Sequence, residues 1–251
     1  MMLSLASIAE AAPNNAAPAL SETQKQQIES VIHDYLVTNP EVLIEASQTL
    51  QKKQQQNLAK KSQTAIVSEA KNLFSAQSAV QGNAKGSVTL VEFFDYQCIH
   101  CKKMAPVISN LVKKDAELRV VYKEFPIFGK SSEFAAKAAL AAGAQGKYQA
   151  MHDALISGEK HLDKDMIKHI AKHIGLNMRQ FHKDLKSVAI KNELAANRQL
   201  AEKLNLMGTP AFIVAATPEG TLKIGSQPFF VPGAASEESL QEMIQKSSSL
   251  K

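Results

Sequence analysis

The stretch SVTLVEFFDY, residues 87–96, is apolar almost without interruption. A strand with one wet face alternates polar and apolar residues, so this run reads as a strand buried on both faces of its sheet. Cys98-Ile99-His100-Cys101 follows directly. From Cys98 to about Lys114, Met104, Val107, Ile108, Leu111 and Val112 recur at the spacing of one helix face. LRVVYKEF (118–125) is a second strand, and the order strand–helix–strand implies a parallel pair.

Beyond the second strand the chain changes character. Residues 131–206 are rich in Ala, Lys and His and helical throughout, with breaks near Gly143 to Gly146, Gly158 and Gly175. Strands return at AFIVAA (211–216) and TLKIG (221–225), joined by a turn at Pro218-Glu219-Gly220, and Ser236 caps a last helix, EESLQEMIQK. The expected class is α/β: a mixed sheet interrupted by an all-helical insertion at about 131–206. The sheet domain spans 82–251.

The N-terminal part is organised differently. Residues 1–20 combine a short apolar stretch with small residues and a Pro/Asn/Ala-rich run, but carry no Lys or Arg. They read as the remnant of an export signal or a disordered terminus. Ser21 opens a helix whose Ile28, Val31, Ile32, Tyr35 and Leu36 form one apolar face. Asn39-Pro40 opens a second, striped with Val42, Leu43, Ala46 and Leu50. QKKQQQN (51–57) has nothing to bury, which suggests a solvent-spanning arm. Residues 21–50 are too few for a core of their own. The expectation is therefore that residues 21–81 are a helical arm and linker helix pairing with a second copy; packing back on the main domain is the alternative.

The formal charge of +5 comes from scattered lysines rather than a basic block, which argues against nucleic acid as a partner. No run approaches the 18 apolar residues of a transmembrane helix.

Cys98 and Cys101 are the only cysteines. As a staple their bond would close a tiny loop and remove little entropy from the unfolded chain. As half a zinc site they need two more ligands, and the best candidates, His169 and His173, lie 68 residues on from Cys101 with no compact knuckle between. As a reagent they fit better. A helix start gathers unpaired N–H groups and the positive end of the dipole, which favour the reactive thiolate. His100, Lys102 and Lys103 add donors or positive field. Cys98 is then the exposed nucleophile and Cys101, one turn deeper, the resolving thiol.

Two more features bear on this reading. Glu92 interrupts the buried run six residues before Cys98. It is either a strand-end residue pointing to water or a proton acceptor and donor for Cys101, since a buried carboxyl group has a raised pKa. Thr209-Pro210 precedes the strand AFIVAA; an X-Pro bond is cis in about 5–6% of cases, so the sequence alone leaves this bond open.

With VEFFDYQCIHCKKMAP (91–106), VVYKEFPIFG (120–129) and GTPAFIV (208–214) assembled, the chain resembles the thioredoxin superfamily, and within it the DsbA-like thiol:disulfide interchange proteins of the bacterial periplasm. The resemblance covers about residues 82–248. It implies a thioredoxin fold with a helical insertion, no cofactor, and a periplasmic location. It also implies that Cys98 attacks substrate, Cys101 resolves, His100 tunes the thiolate and Glu92 relays protons. Pro210 would be cis and face the pair, with Thr209 offering backbone groups to an extended substrate. The partners implied are exported proteins and a membrane redox protein, either a DsbB-like oxidant or a DsbD-like reductant.

Two departures stand out. Ile99-His100 replaces the Pro-His of the best-known members. Residues 21–80 resemble the oligomerising arms of DsbC-type isomerases and ScsC-like proteins, which points to a homodimer. Thr before the cis-proline is also an isomerase trait. Oxidase and isomerase thus stand as competing functions, beside a metal-binding protein and a non-catalytic folding chaperone.

Overall fold

The computed structural model describes residues 20–75, 79–158 and 162–249; apart from Leu20, the expected signal remnant lies outside them. Ser21 caps α1 (Glu22–Thr38) through a reciprocal pair with Gln24, two otherwise orphaned donors being satisfied at once. Helix α2 (Glu41–Ser68) starts one residue later than Pro40 suggests and runs unbroken through the polar stretch 51–57. It is followed by the single turn α3 (Ala70–Leu73).

Tertiary contacts divide the chain after Gln55, not after residue 81. The correction has a packing cause. Ile66, Leu73 and Phe74 are buried with Val91, Phe93, Val121 and Ile213. The Ser62 hydroxyl donates to the Leu204 carbonyl at 2.7 Å, and the Gln63 amide donates to the Pro228 carbonyl at 3.1 Å. The first unit, taken by itself, buries no residue of α1 and leaves Ile28, Val31, Ile32, Tyr35, Leu43, Ile44 and Leu50 exposed.

The second unit is built on β1 (Ala79–Gly82), β2 (Val88–Phe94), α4 (Ile99–Lys114), β3 (Leu118–Glu124), an insertion of five helices, β4 (Ala211–Ala216), β5 (Phe229–Val231) and α10 (Glu237–Ser248). The insertion comprises α5 (Lys130–Gly143), α6 (Tyr148–Ile156), α7 (Lys164–His173), α8 (Met178–Asp184) and α9 (Val188–Lys203). The sheet order is β1-β3-β2-β4-β5, with β2 and β3 parallel and every other pair antiparallel. Strand β1 was not anticipated: at four residues it is too short to show a pattern.

TLKIG is not a strand. Glu219, Gly220 and Gly225 all adopt positive φ, which breaks extended backbone, and the last strand forms only at Phe229. Along β2 the side chains alternate between two cores. Val88, Leu90 and Phe94 face α4, α10 and the insertion; Val91 and Phe93 face the end of α2, α3 and α9. Glu92, by parity, points to the same face as α4.

Candidate redox site

Cys98 is the N-cap of α4, so its thiol sits where the first turn's N–H groups have no helical partner. It is not exposed as expected: only 3% of the residue is accessible, and 1% of Cys101. The reason is the loop opposite. The Cys98 thiol donates to the Thr209 carbonyl at 3.3 Å, and the Thr209–Pro210 bond is cis. Both cysteines are free thiols. Ile99 and His100, between them, are exposed.

Glu92 is 3% exposed, so the strand-end alternative does not hold. Burial pushes its carboxyl group well above the ordinary range, and the neighbouring Cys98 adds to the rise. Burial likewise pushes the Cys101 thiol up strongly, with the charge of Glu92 second; the Asp95 backbone and the Thr209 side chain oppose this more weakly. Thr209 Oγ1 is buried without a partner of ordinary hydrogen-bond geometry. Glu92 pairs in register with Tyr122 on one side and Phe212 on the other.

The residue that sequence reasoning missed is Asp95. It is 1% exposed, and its two oxygens accept three backbone N–H groups: Gln97 at 2.7 Å, Ile127 at 2.7 Å and Phe128 at 3.0 Å. Its own carbonyl accepts the Cys98 N–H at 3.1 Å. One side chain therefore ties the turn that delivers Cys98 to the loop after β3. The signal in the sequence is an Asp two residues ahead of a turn N–H at the end of an apolar strand, the pattern of an Asx turn.

Lys102, read from sequence as a source of positive field, donates instead to the Gly158 carbonyl at 2.5 Å and so anchors α4 to the insertion. Below the site, Tyr96 and Tyr148 both donate to Glu124 Oε1, at 2.9 and 2.8 Å, and the Tyr96 hydroxyl lies 3.2 Å from His152 Nδ1. Burial holds the His152 imidazole down at about 3 and Glu124 well above the carboxylate range. No group of three His, Cys, Asp or Glu side chains among the described residues is arranged to hold a metal ion, so His169 and His173 are not brought together with the cysteines in such a cluster.

A cysteine pair at the start of a helix, facing a cis-proline loop on a central β2–β3 parallel pair with a helical insertion, has the architecture of a thioredoxin fold. The chain belongs to the DSBA-like thioredoxin domain family, whose model matches residues 89–245. Residues 24–57 match the N-terminal domain of the copper resistance protein ScsC.

Among solved structures, BcfH of Salmonella enterica Typhimurium is 31% identical with a TM-score of 0.74, covering 90% of this chain and 96% of BcfH. The thiol:disulfide interchange protein DsbA of Pseudomonas syringae is 26% identical over 177 residues, 64% of this chain and 82% of that protein. The Na(+)/H(+) antiporter NhaA 3 of Salinispora tropica is 28% identical over 137 residues; these are 54% of this chain but only 21% of the antiporter. No helix among the described residues is long and apolar enough to cross a membrane.

Proposed function

We propose that the protein exchanges disulfides with exported proteins in the periplasm, with Cys98 as the sulfur that meets substrate and Cys101 as the resolving sulfur. The contact of Cys98 with the carbonyl of Thr209, 3.3 Å away, carries this reading. That carbonyl and the adjoining backbone are where an extended substrate strand can hydrogen-bond while its sulfur reaches Cys98. Exposed Ile99 and Met207, close in sequence to the cysteines and to Thr209, and exposed Phe128, whose N–H donates to Asp95, suit apolar unfolded segments.

In the oxidising direction a substrate thiolate attacks Sγ of Cys98 in the Cys98–Cys101 disulfide. The S–S bond breaks, a mixed disulfide forms, and Cys101 leaves as a thiolate. A second substrate thiolate attacks the substrate sulfur of the mixed disulfide and expels Cys98. Two electrons pass from the substrate to the pair. The leaving thiolate of Cys101 takes a proton, and Glu92, a buried carboxyl group whose proton affinity burial raises, supplies it in this reading. His100 acts as a donor to the Cys98 thiolate.

A second reading, isomerisation, is favoured by the unpartnered apolar face of α1 and α2 and the ScsC-type match there. Residues 21–55 then join two copies as a homodimer, and a DsbD-like reductant rather than a DsbB-like oxidant keeps the pair reduced. Acid-trapping followed by alkylation with a mass-tagged maleimide reads the redox state of the pair in cells. A mostly disulfide state supports oxidation and a mostly dithiol state isomerisation. A Cys98→Ser variant with undiminished exchange activity would overturn both.

A further inference from the structure

A large cleft lies away from the cysteines, at the opposite end of β2 and on the other face of the sheet. Its volume is about 1000 Å³, within the range of small-molecule sites. Val67, Phe74 and Leu222 form apolar walls, and Lys71 and Lys85 stand among its lining residues. Arg119 lines it too, in register with Thr89 at the start of β2.

Arg119 is 1% exposed. Among the described residues no carboxylate pairs with its guanidinium: Nη2 donates to the Phe74 carbonyl at 2.8 Å, Nη1 makes only a 3.5 Å contact with Thr89 Oγ1, and Nε has no partner there. A buried cation left unpaired is costly, and an acid in the cleft would relieve that cost. Gly220, at φ +76, keeps the approach open, since a Cβ there would stand 3.3 Å from Nη1. Glu219 is the one acidic residue among the described residues that line the cleft.

We propose that this cleft binds an amphipathic anion, its acidic head on the Arg119 guanidinium and its apolar body against Val67, Phe74 and Leu222. The site is separate from the exchange chemistry and does not depend on it.

The test titrates the full chain with dodecanoate, dodecyl phosphate, dodecanol and inorganic phosphate, by calorimetry and amide chemical shifts. One or both amphipathic anions should bind at one site with Kd below about 100 µM. Shifts should centre on Phe74, Gly220 and Leu222, and the two head groups separate a carboxylate from a phosphate ligand. Dodecanol and inorganic phosphate should bind at least roughly tenfold more weakly, as should the anions to Arg119→Gln, the loss expected for one charge-assisted pair. Should Arg119→Gln fail to fold, Gly220→Asn decides, because Asn tolerates the left-handed backbone and covers the guanidinium. Equal binding of dodecanol, shifts centred on Ile99 and Phe128, undiminished binding by the folded variant, or no saturable binding would each overturn the proposal.

Discussion

Replacing Asp95 by alanine strips the acceptor from three backbone N–H groups at once, those of Gln97, Ile127 and Phe128. Each net hydrogen bond is worth about 1 kcal/mol, and a donor left buried costs somewhat more. The three residues are not fully buried, so water recovers part of the loss. The expected destabilisation is about 3 kcal/mol, a large share of the roughly 5–15 kcal/mol that holds a typical domain. Asp95→Asn keeps one acceptor oxygen and should lose about half as much. Urea unfolding followed by circular dichroism measures both, on reduced and oxidised protein. Because the same turn delivers Cys98, the exchange rate with a model dithiol should also fall, and Asp95→Asn should restore part of it. An Asp95→Ala protein within about 0.5 kcal/mol of wild type would refute the clamp. So would one that is destabilised yet exchanges thiols at the wild-type rate, since that outcome confines Asp95 to stability.

Glu92→Gln should stabilise the protein increasingly as pH rises. The folded carboxyl group holds its proton above the unfolded value of 4.5, so wild-type stability is full below that pH and is lost as pH climbs toward the folded pKa; parallel stability–pH curves for the two proteins would contradict this. His152 acts in the opposite window. Its imidazole stays neutral down to about 3 against 6.5 unfolded, so acidification between those values costs stability, and His152→Gln should flatten that limb in acid-denaturation curves. Truncation distinguishes the two units. Removing residues 1–55 should leave a folded monomer by light scattering, whereas removing 1–80 also strips Ile66, Leu73 and Phe74 from the core, about 1.5–3 kcal/mol each, and should lower Tm sharply; equal Tm values would refute the boundary at Gln55.

Particular residues show where sequence sufficed. The apolar run ending in Phe94, the helix from Ile99 and the strand LRVVYKE were legible because each has one period and one buried pattern. Cys98 and Cys101 were legible because their chemistry is carried by their own spacing. TLKIG was misread because its alternation is that of a strand, while Gly220 just before it and Gly225 at its end set a backbone that cannot extend. Asp95 went unremarked because its three partners are supplied partly by a loop thirty residues further on.

By itself, then, the sequence determined the local elements, the strand–helix junction that bears the cysteines, and an N-terminal helical segment with an apolar face. These are decided by residues within a few turns of one another. Only the tertiary structure decided that both thiols are covered, that the Thr209 carbonyl covers Cys98, and that Glu92 is buried on the cysteine side. It also decided that the end of α2 packs with the sheet domain and that Arg119 is buried with no carboxylate beside it among the described residues. Each of these depends on which distant segments pack together, and packing is where burial, and with it the cost of a charge, is set.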